Sequence, residues 1–285
     1  MSSIGLTRRR LVQGLATLTF GASTIMTTGR VQGANVSSLP REKIGLQLYT
    51  VRELMAKNVT DTLGEVSRIG YREVEFAGYF DHEPQQIVDI LKANDLSAPS
   101  AHVPLEALET DLDQLILAAQ TIGHRHLVLP WLAAHQRQSL AQYEAIAKLL
   151  NSTGKACKSA GIEIGYHNHD FEFQAIDGRL PYDLLLEQTD PELVKMELDL
   201  YWITKAGYRS GDYFDRQPGR FTQCHVKDMS PSGDIADVGK GVIELDRILG
   251  AAQAAGIKHF YVEHDNTPNP LASIKTSYAA LRQTK

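Results

Sequence analysis

Eight short strand-like runs recur along the chain with helical stretches between most of them, and no other feature limits the fold as much. The runs are residues 44–49, 73–76, 98–103, 126–130, 162–167, 194–200, 221–226 and 259–263. Helical patterning is expected over 59–69, 84–93, 105–121, 140–160, 182–188 and 244–255, with a short, weak segment at 213–216. Gly70, Gly123, Gly161 and Gly256 each follow a helical stretch, where glycine accepts the left-handed backbone that ends a helix. Regular strand–helix alternation implies a parallel sheet, open or closed.

The pleat decides between the two forms, because successive side chains on a strand point to opposite faces. Leu46 and Leu48 oppose Gly45, Gln47 and Tyr49; Val74 and Phe76 oppose Glu73 and Glu75. Ile164 and Tyr166 oppose Glu163, Gly165 and His167; Cys224 and Val226 oppose Gln223, His225 and Lys227; Phe260 and Val262 oppose Tyr261 and Glu263. A doubly wound open sheet is covered by helices on both faces and favours continuous apolar runs. One apolar and one polar face fit a closed α/β barrel, a single-domain (β/α)8 TIM barrel with helices outside and a polar interior.

The first 34 residues are set apart. Arg8, Arg9 and Arg10 precede a mildly apolar stretch over 11–26 that is interrupted by Gln13, Gly14, Thr17, Thr19, Gly21, Ser23 and Thr24. A basic segment before a short apolar one is the pattern of an export signal, and paired arginines resemble a twin-arginine signal. The apolar stretch is too weak for a membrane anchor, which needs ~20 strongly apolar residues. Residues 1–34 are therefore expected to be an export signal, residues 35–285 the barrel, and the mature chain periplasmic or otherwise exported without a stable membrane span. The net charge of −5 and the lack of a Lys/Arg-rich run after residue 10 argue against a nucleic-acid partner. Two cysteines, Cys157 and Cys224, make no disulfide framework and are expected free and buried.

His167, Asp199, His225 and Glu263 fall at the carboxyl ends of the fifth to eighth strand runs. In a TIM barrel that end carries the active site. Two imidazoles and two carboxylates suit Mn²⁺, Co²⁺, Zn²⁺ or Fe²⁺. A single strand-end acid can equally cap the next helix, but four ligand-type residues at equivalent positions make coincidence a poor account. Gln47, Tyr49, Glu75, His102, Trp131, Asn168 and Lys227 also lie at or just after strand ends and are candidates to hold substrate. Trp131 suits stacking on the flat face of a ligand.

The motifs Gly-x-x-x-Gly-Tyr-His-Asn-His-Asp-Phe-Glu-Phe (161–173), Glu-Leu-Asp (197–199), His-Val-Lys-Asp (225–228), Val-Gly-Lys-Gly-Val-Ile (238–243) and Val-Glu-His (262–264) resemble the sugar isomerase/epimerase superfamily of xylose isomerase-like barrels. The resemblance implies one divalent metal, with Mn²⁺ expected and Co²⁺, Zn²⁺, Fe²⁺ and Mg²⁺ as other candidates. It implies Asp199, His225 and Glu263 as ligands and Glu263 as a catalytic base as well. At the fifth strand the family usually has Glu where this chain has His167, so the second carboxylate of a two-glutamate epimerase is missing. Glu172 and His169 are the candidates to replace it. The implied chemistry is proton abstraction next to a metal-bound carbonyl. Isomerisation or epimerisation of an unphosphorylated keto-sugar is expected first. Elimination of a β-substituent from a 3-keto-glycoside or cyclitol is the alternative. A non-catalytic periplasmic sugar-binding protein is a further alternative, and an abasic-site endonuclease is disfavoured by the small ligand set and the negative charge. The expected partner is a small carbohydrate, and assembly into a homo-oligomer is left open.

Overall fold

The computed structural model describes residues 39–283, so the expected export segment at 1–34 lies outside the described residues. Eight parallel strands close into a barrel: β1 (Ile44–Gln47), β2 (Glu73–Phe76), β3 (Ser97–His102), β4 (His126–Leu129), β5 (Glu163–His167), β6 (Val194–Asp199), β7 (Phe221–Val226) and, after a two-stranded ribbon of β8 (Asp228–Met229) and β9 (Ile235–Ala236), β10 (His259–Val262). Each barrel strand pairs with its neighbour in sequence, and β1 joins β10 to complete the ring. The (β/α)8 expectation is met, with strand boundaries shifted by one or two residues at several ends.

The two faces read from the pleat become the outside and inside of the barrel. Leu46, Val74, Phe76, Ile164, Tyr166, Leu198, Cys224, Val226, Phe260 and Val262 are buried in the core that the helices cover. Removing such side chains from water, at about 25 cal/mol per Å² of apolar surface, is the main drive for wrapping helices around the ring. The inner face is packed with polar groups. Gly45 supplies room there, because a Cβ at that position would lie 2.5 Å from the Tyr261 ring.

The helices follow their local signals. Val59–Ile69 starts at Asn58, whose side chain accepts the Asp61 N–H at 2.9 Å, and buries Val59, Thr62, Leu63 and Val66. It ends at Gly70, with φ 127°, where a Cβ would also strike the Tyr278 ring at 2.6 Å. The helix expected over 105–121 is two helices, Leu105–Thr110 and Leu112–Ile122, because Asp111 takes φ −129°, ψ 26° and restarts the turn. The weak segment near 213–216 is Ser210–Arg216, preceded by Leu200–Lys205. The helix Pro270–Gln283, which packs Ile274 and Leu281 into the core after the eighth barrel strand, was not expected from the periodicity. Both cysteines are free and buried.

Candidate metal centre at the carboxyl mouth of the barrel

The barrel register brings His167, Asp199, His225 and Glu263 to one point. His167 pairs with Glu197 and Asp199 with His225 across adjacent strands. His167 Nε2 lies 3.2 Å from Asp199 Oδ2, and His225 Nδ1 lies 2.8 Å from Glu263 Oε2 and 3.8 Å from Asp199 Oδ2. All four residues are buried, and their candidate ligand atoms lie within 4.8 Å of one another. Lys227 adds a buried ammonium 2.7 Å from Glu263, 3.0 Å from Asp199 and 2.7 Å from Asp265.

Charge in this pocket follows from burial set against close partners. Burial opposes ionisation of Asp199, but Lys227 and the two imidazoles outweigh it and hold its pKa at about 2. Glu263 is likewise buried, and Lys227 and His225 hold it well below the usual carboxylate range. Burial disfavours charge on His225, yet Glu197 and Glu263 hold its pKa well above the ordinary imidazole range. The same carboxylates that draw a proton to this imidazole would attract a divalent cation in its place. Two neutral imidazoles with two carboxylates are a fitting donor set for a first-row transition metal.

Other expected site residues are placed differently. Gln47 and Glu75, expected to meet substrate, have no exposed surface and bond to each other at 2.7 Å. His102 is also turned inward, 2.8 Å from Glu197 and 3.3 Å from Glu75. Glu75 and His102 pack against His225, and Gln47 is linked to it through Glu75. Asn168 is buried, and its Oδ1 accepts the Asp199 N–H at 2.9 Å, fixing the end of β6. Tyr49 and Trp131 stay open to solvent, 42% and 50% exposed.

Glu172, a candidate second catalytic carboxylate, has both oxygens engaged, one from β5 and one from the turn that follows it. Oε1 accepts the Tyr166 hydroxyl at 2.6 Å and Oε2 the His169 N–H at 2.7 Å. Burial pushes its pKa up to about 7. Its carboxylate ties the His-Asn-His turn back to β5. His169 remains beside the site, 5.0 Å from the His167 ring and stacked on Phe171 at 5.1 Å. Burial, with His167 and Lys227 nearby, pulls its pKa well below the usual value, so it is a neutral imidazole.

Three neighbours of the centre were not singled out from the sequence. Glu197 sits between His102 and His225, 2.8 and 3.3 Å away, with its other oxygen buried and without a hydrogen-bond partner. The signal for it was present, since Glu197 and Asp199 are two apart and share a strand face. Asp265 follows Glu263 by two residues but lies past the strand run read at 259–263, where pleat arguments stop. Trp202 was hidden in a helix that begins at the Asp199 cap; its ring lies 5.2 Å from that of His169.

The chain belongs to the xylose isomerase-like TIM barrel family, whose model matches residues 63–284. An inosose dehydratase from Mesomycoplasma hyopneumoniae is 25% identical over 185 residues, covering 59% of this chain. The match spans 61% of that relative's length. A sugar phosphate isomerase/epimerase structure from Parabacteroides distasonis superposes with a TM-score of 0.73 at 23% identity, over 87% of this chain and 97% of that one. The structure of an IolI protein with a bound zinc atom gives a TM-score of 0.67 at 16% identity, over 84% and 96% of the two chains. These structural likenesses establish the shared fold.

Proposed function

We propose that the protein is a metal-dependent enzyme that abstracts a proton next to a carbonyl of an unphosphorylated sugar derivative and expels a β-oxygen substituent, as a lyase. His167, Asp199, His225 and Glu263 would hold the divalent metal, Mn²⁺ first among the candidates. When bound it would act as a Lewis acid on the substrate's oxygens. Glu263 is the base; Lys227, 2.7 Å away, orients its carboxylate, and the proton Glu263 takes can pass to the departing oxygen.

The observation that carries the lyase reading over a two-base epimerase is the fate of the second carboxylate. His167 occupies its family position, and Glu172 is tied to Tyr166 and His169. A single carboxylate base serves elimination, whereas epimerisation by two opposed carboxylates needs a partner on the other face of the carbon. The inosose dehydratase relative supports the same choice. Lys227 is engaged by three carboxylates, which leaves it little attraction for a phosphate. The arginine run at 8–10 and the apolar stretch after it support an exported protein, where unphosphorylated substrates are the rule. Trp131 and Tyr49 on the rim would flank the sugar.

The test is to load the purified protein with Mn²⁺ and incubate it in D2O with a panel of keto-sugars, cyclitol ketones and 3-keto-glycosides, read by NMR. Loss of a leaving group, abolished in Glu263→Gln, is the expected result. Deuterium incorporation without loss of a leaving group would replace the lyase reading with isomerase chemistry. Sugar affinity without any turnover, unchanged in Glu263→Gln, would replace it with a binding protein.

A further inference from the structure

His225 belongs to two quartets of ligand-type side chains. The outer one contains His167, Asp199 and Glu263; the inner one contains Glu75, His102 and Glu197. In each, the candidate ligand atoms lie within 4.8 Å of one another. The imidazole turns Nδ1 to the outer group, 2.8 Å from Glu263, and Nε2 to the inner group, 2.7 Å from Glu75 and 3.3 Å from Glu197. A neutral imidazole offers one lone pair and one N–H. A metal held by one nitrogen therefore leaves the other as a donor to the opposite quartet.

The surroundings of Glu75 show which nitrogen is which. Its Oε1 accepts the Ser100 hydroxyl at 2.5 Å, and its Oε2 accepts from Gln47 Nε2 at 2.7 Å. Gln47 is itself oriented, because its Oε1 accepts the Tyr49 N–H at 3.0 Å. Two neutral donors from β1 and β3 thus fix a buried carboxylate on β2 and aim it at His225 Nε2. A carboxylate engaged in this way is built to receive an N–H.

We infer that Glu75 is a positioning residue for the metal centre: it accepts the Nε2–H of His225, fixes the tautomer and ring plane, and leaves Nδ1 for the metal in the outer quartet. Gln47 and Ser100 hold Glu75 in place. Glu197, braced by His102, flanks the same nitrogen from the other side. A carboxylate on the far nitrogen of a ligating histidine raises the basicity of the ligand, and its loss costs roughly 10–100-fold in metal affinity. The inference rests on the outer quartet being the metal centre, and the experiment separates the two.

Zn²⁺ affinity is measured by competition with a chromophoric chelator, and the visible spectrum of the Co²⁺-loaded protein is recorded. The wild type, Glu75→Gln, Ser100→Ala and Asp199→Asn are compared, each checked for folding by circular dichroism. Glu75→Gln is expected to bind one Zn²⁺ per chain with about 10–100-fold lower affinity and a shifted Co²⁺ spectrum. Ser100→Ala should move both in the same direction by less, and Asp199→Asn should lose stoichiometric metal. Wild-type affinity and spectrum in Glu75→Gln, with metal lost in Asp199→Asn, would overturn the inference and leave the outer centre standing. Metal retained in Asp199→Asn but lost in Glu75→Gln would overturn both and place the ion in the inner quartet. If Glu75→Gln does not fold, Ser100→Ala decides, and wild-type affinity and spectrum there would overturn the inference.

Discussion

Replacing Asp228 with Asn removes one charge and changes one atom, yet it should unfasten the segment that follows the seventh barrel strand. Asp228 is buried, and its carboxylate accepts four backbone N–H groups. Oδ1 takes those of Met229 at 2.8 Å and Ile243 at 3.1 Å; Oδ2 takes those of Gly239 at 3.0 Å and Gly241 at 2.9 Å. Gly241 lies so close that a Cβ there would fall 2.2 Å from Asp228 Oδ1. Asn offers one oxygen and one amide nitrogen, so one pair of N–H groups would face a donor. Bonds to a charged acceptor contribute about 1.5–3 kcal/mol each. Losing two gives about 3 kcal/mol at the low end of that range, the appropriate end because these partly buried N–H groups regain water. For a domain of this size 1 kcal/mol corresponds to about 2–4 °C in Tm, so Asp228→Asn should melt about 6–12 °C lower. Thermal denaturation followed by far-UV circular dichroism measures it. A Tm within 2 °C of wild type would refute the claim that this carboxylate holds the loop together.

Gly45→Ala puts a methyl into the Tyr261 ring inside the barrel and should destabilise by about 1–3 kcal/mol in urea unfolding; no change in the midpoint would mean that the interior has slack there. Glu172, with its pKa raised by burial to about 7, binds its proton more tightly in the folded state. Its stabilising contribution is therefore complete below the unfolded carboxylate pKa near 4.5 and is lost as pH rises through 7. That loss is on the order of 3 kcal/mol. Glu172→Gln should flatten the decline relative to wild type across this window, which stability curves at several pH values will show. Burial pushes the Cys157 thiol up to about 11 and the Cys224 thiol far above its ordinary range, so neither should react with a thiol reagent at pH 8 until urea unfolds the chain. Trp131→Ala should raise KM severalfold with Tm unchanged if the ring flanks the substrate; an unchanged KM would make it a rim residue only.

Much of this architecture was legible because a barrel strand enforces a two-residue period. His167, Asp199, His225 and Glu263 could be placed together from parity and strand order alone. The same parity also pointed inward for Gln47 and Glu75, but it does not reveal depth. Whether an inward side chain meets the mouth or a neighbouring strand depends on stagger, including the register shifts in the β2–β3 and β6–β7 pairings. That is why Glu75 and His102 could be read as inward-facing candidates while their bonds to His225 and Glu197 could not. Glu172 could be named from the sequence, but its partners could not, for another reason. It lies in a short 3-10 turn after β5, where no period applies and the Tyr166 hydroxyl six residues back captures its carboxylate.

The ring of Tyr261 fills the space left by Gly45 and stacks at 7° on His259. Beneath it, His259 pairs with Glu73 at 2.8 Å and His126 with Glu163 at 3.3 Å. The ring is thus a floor between the ligand-type cluster and the amino end of the barrel. A vessel with such a floor fills and empties from the same side. An ion seated near His225 would have to enter before the sugar and leave after it, past the rim that carries Tyr49 and Trp131. Bound substrate would then act as the stopper, and loss of the ion to a chelator should slow in its presence.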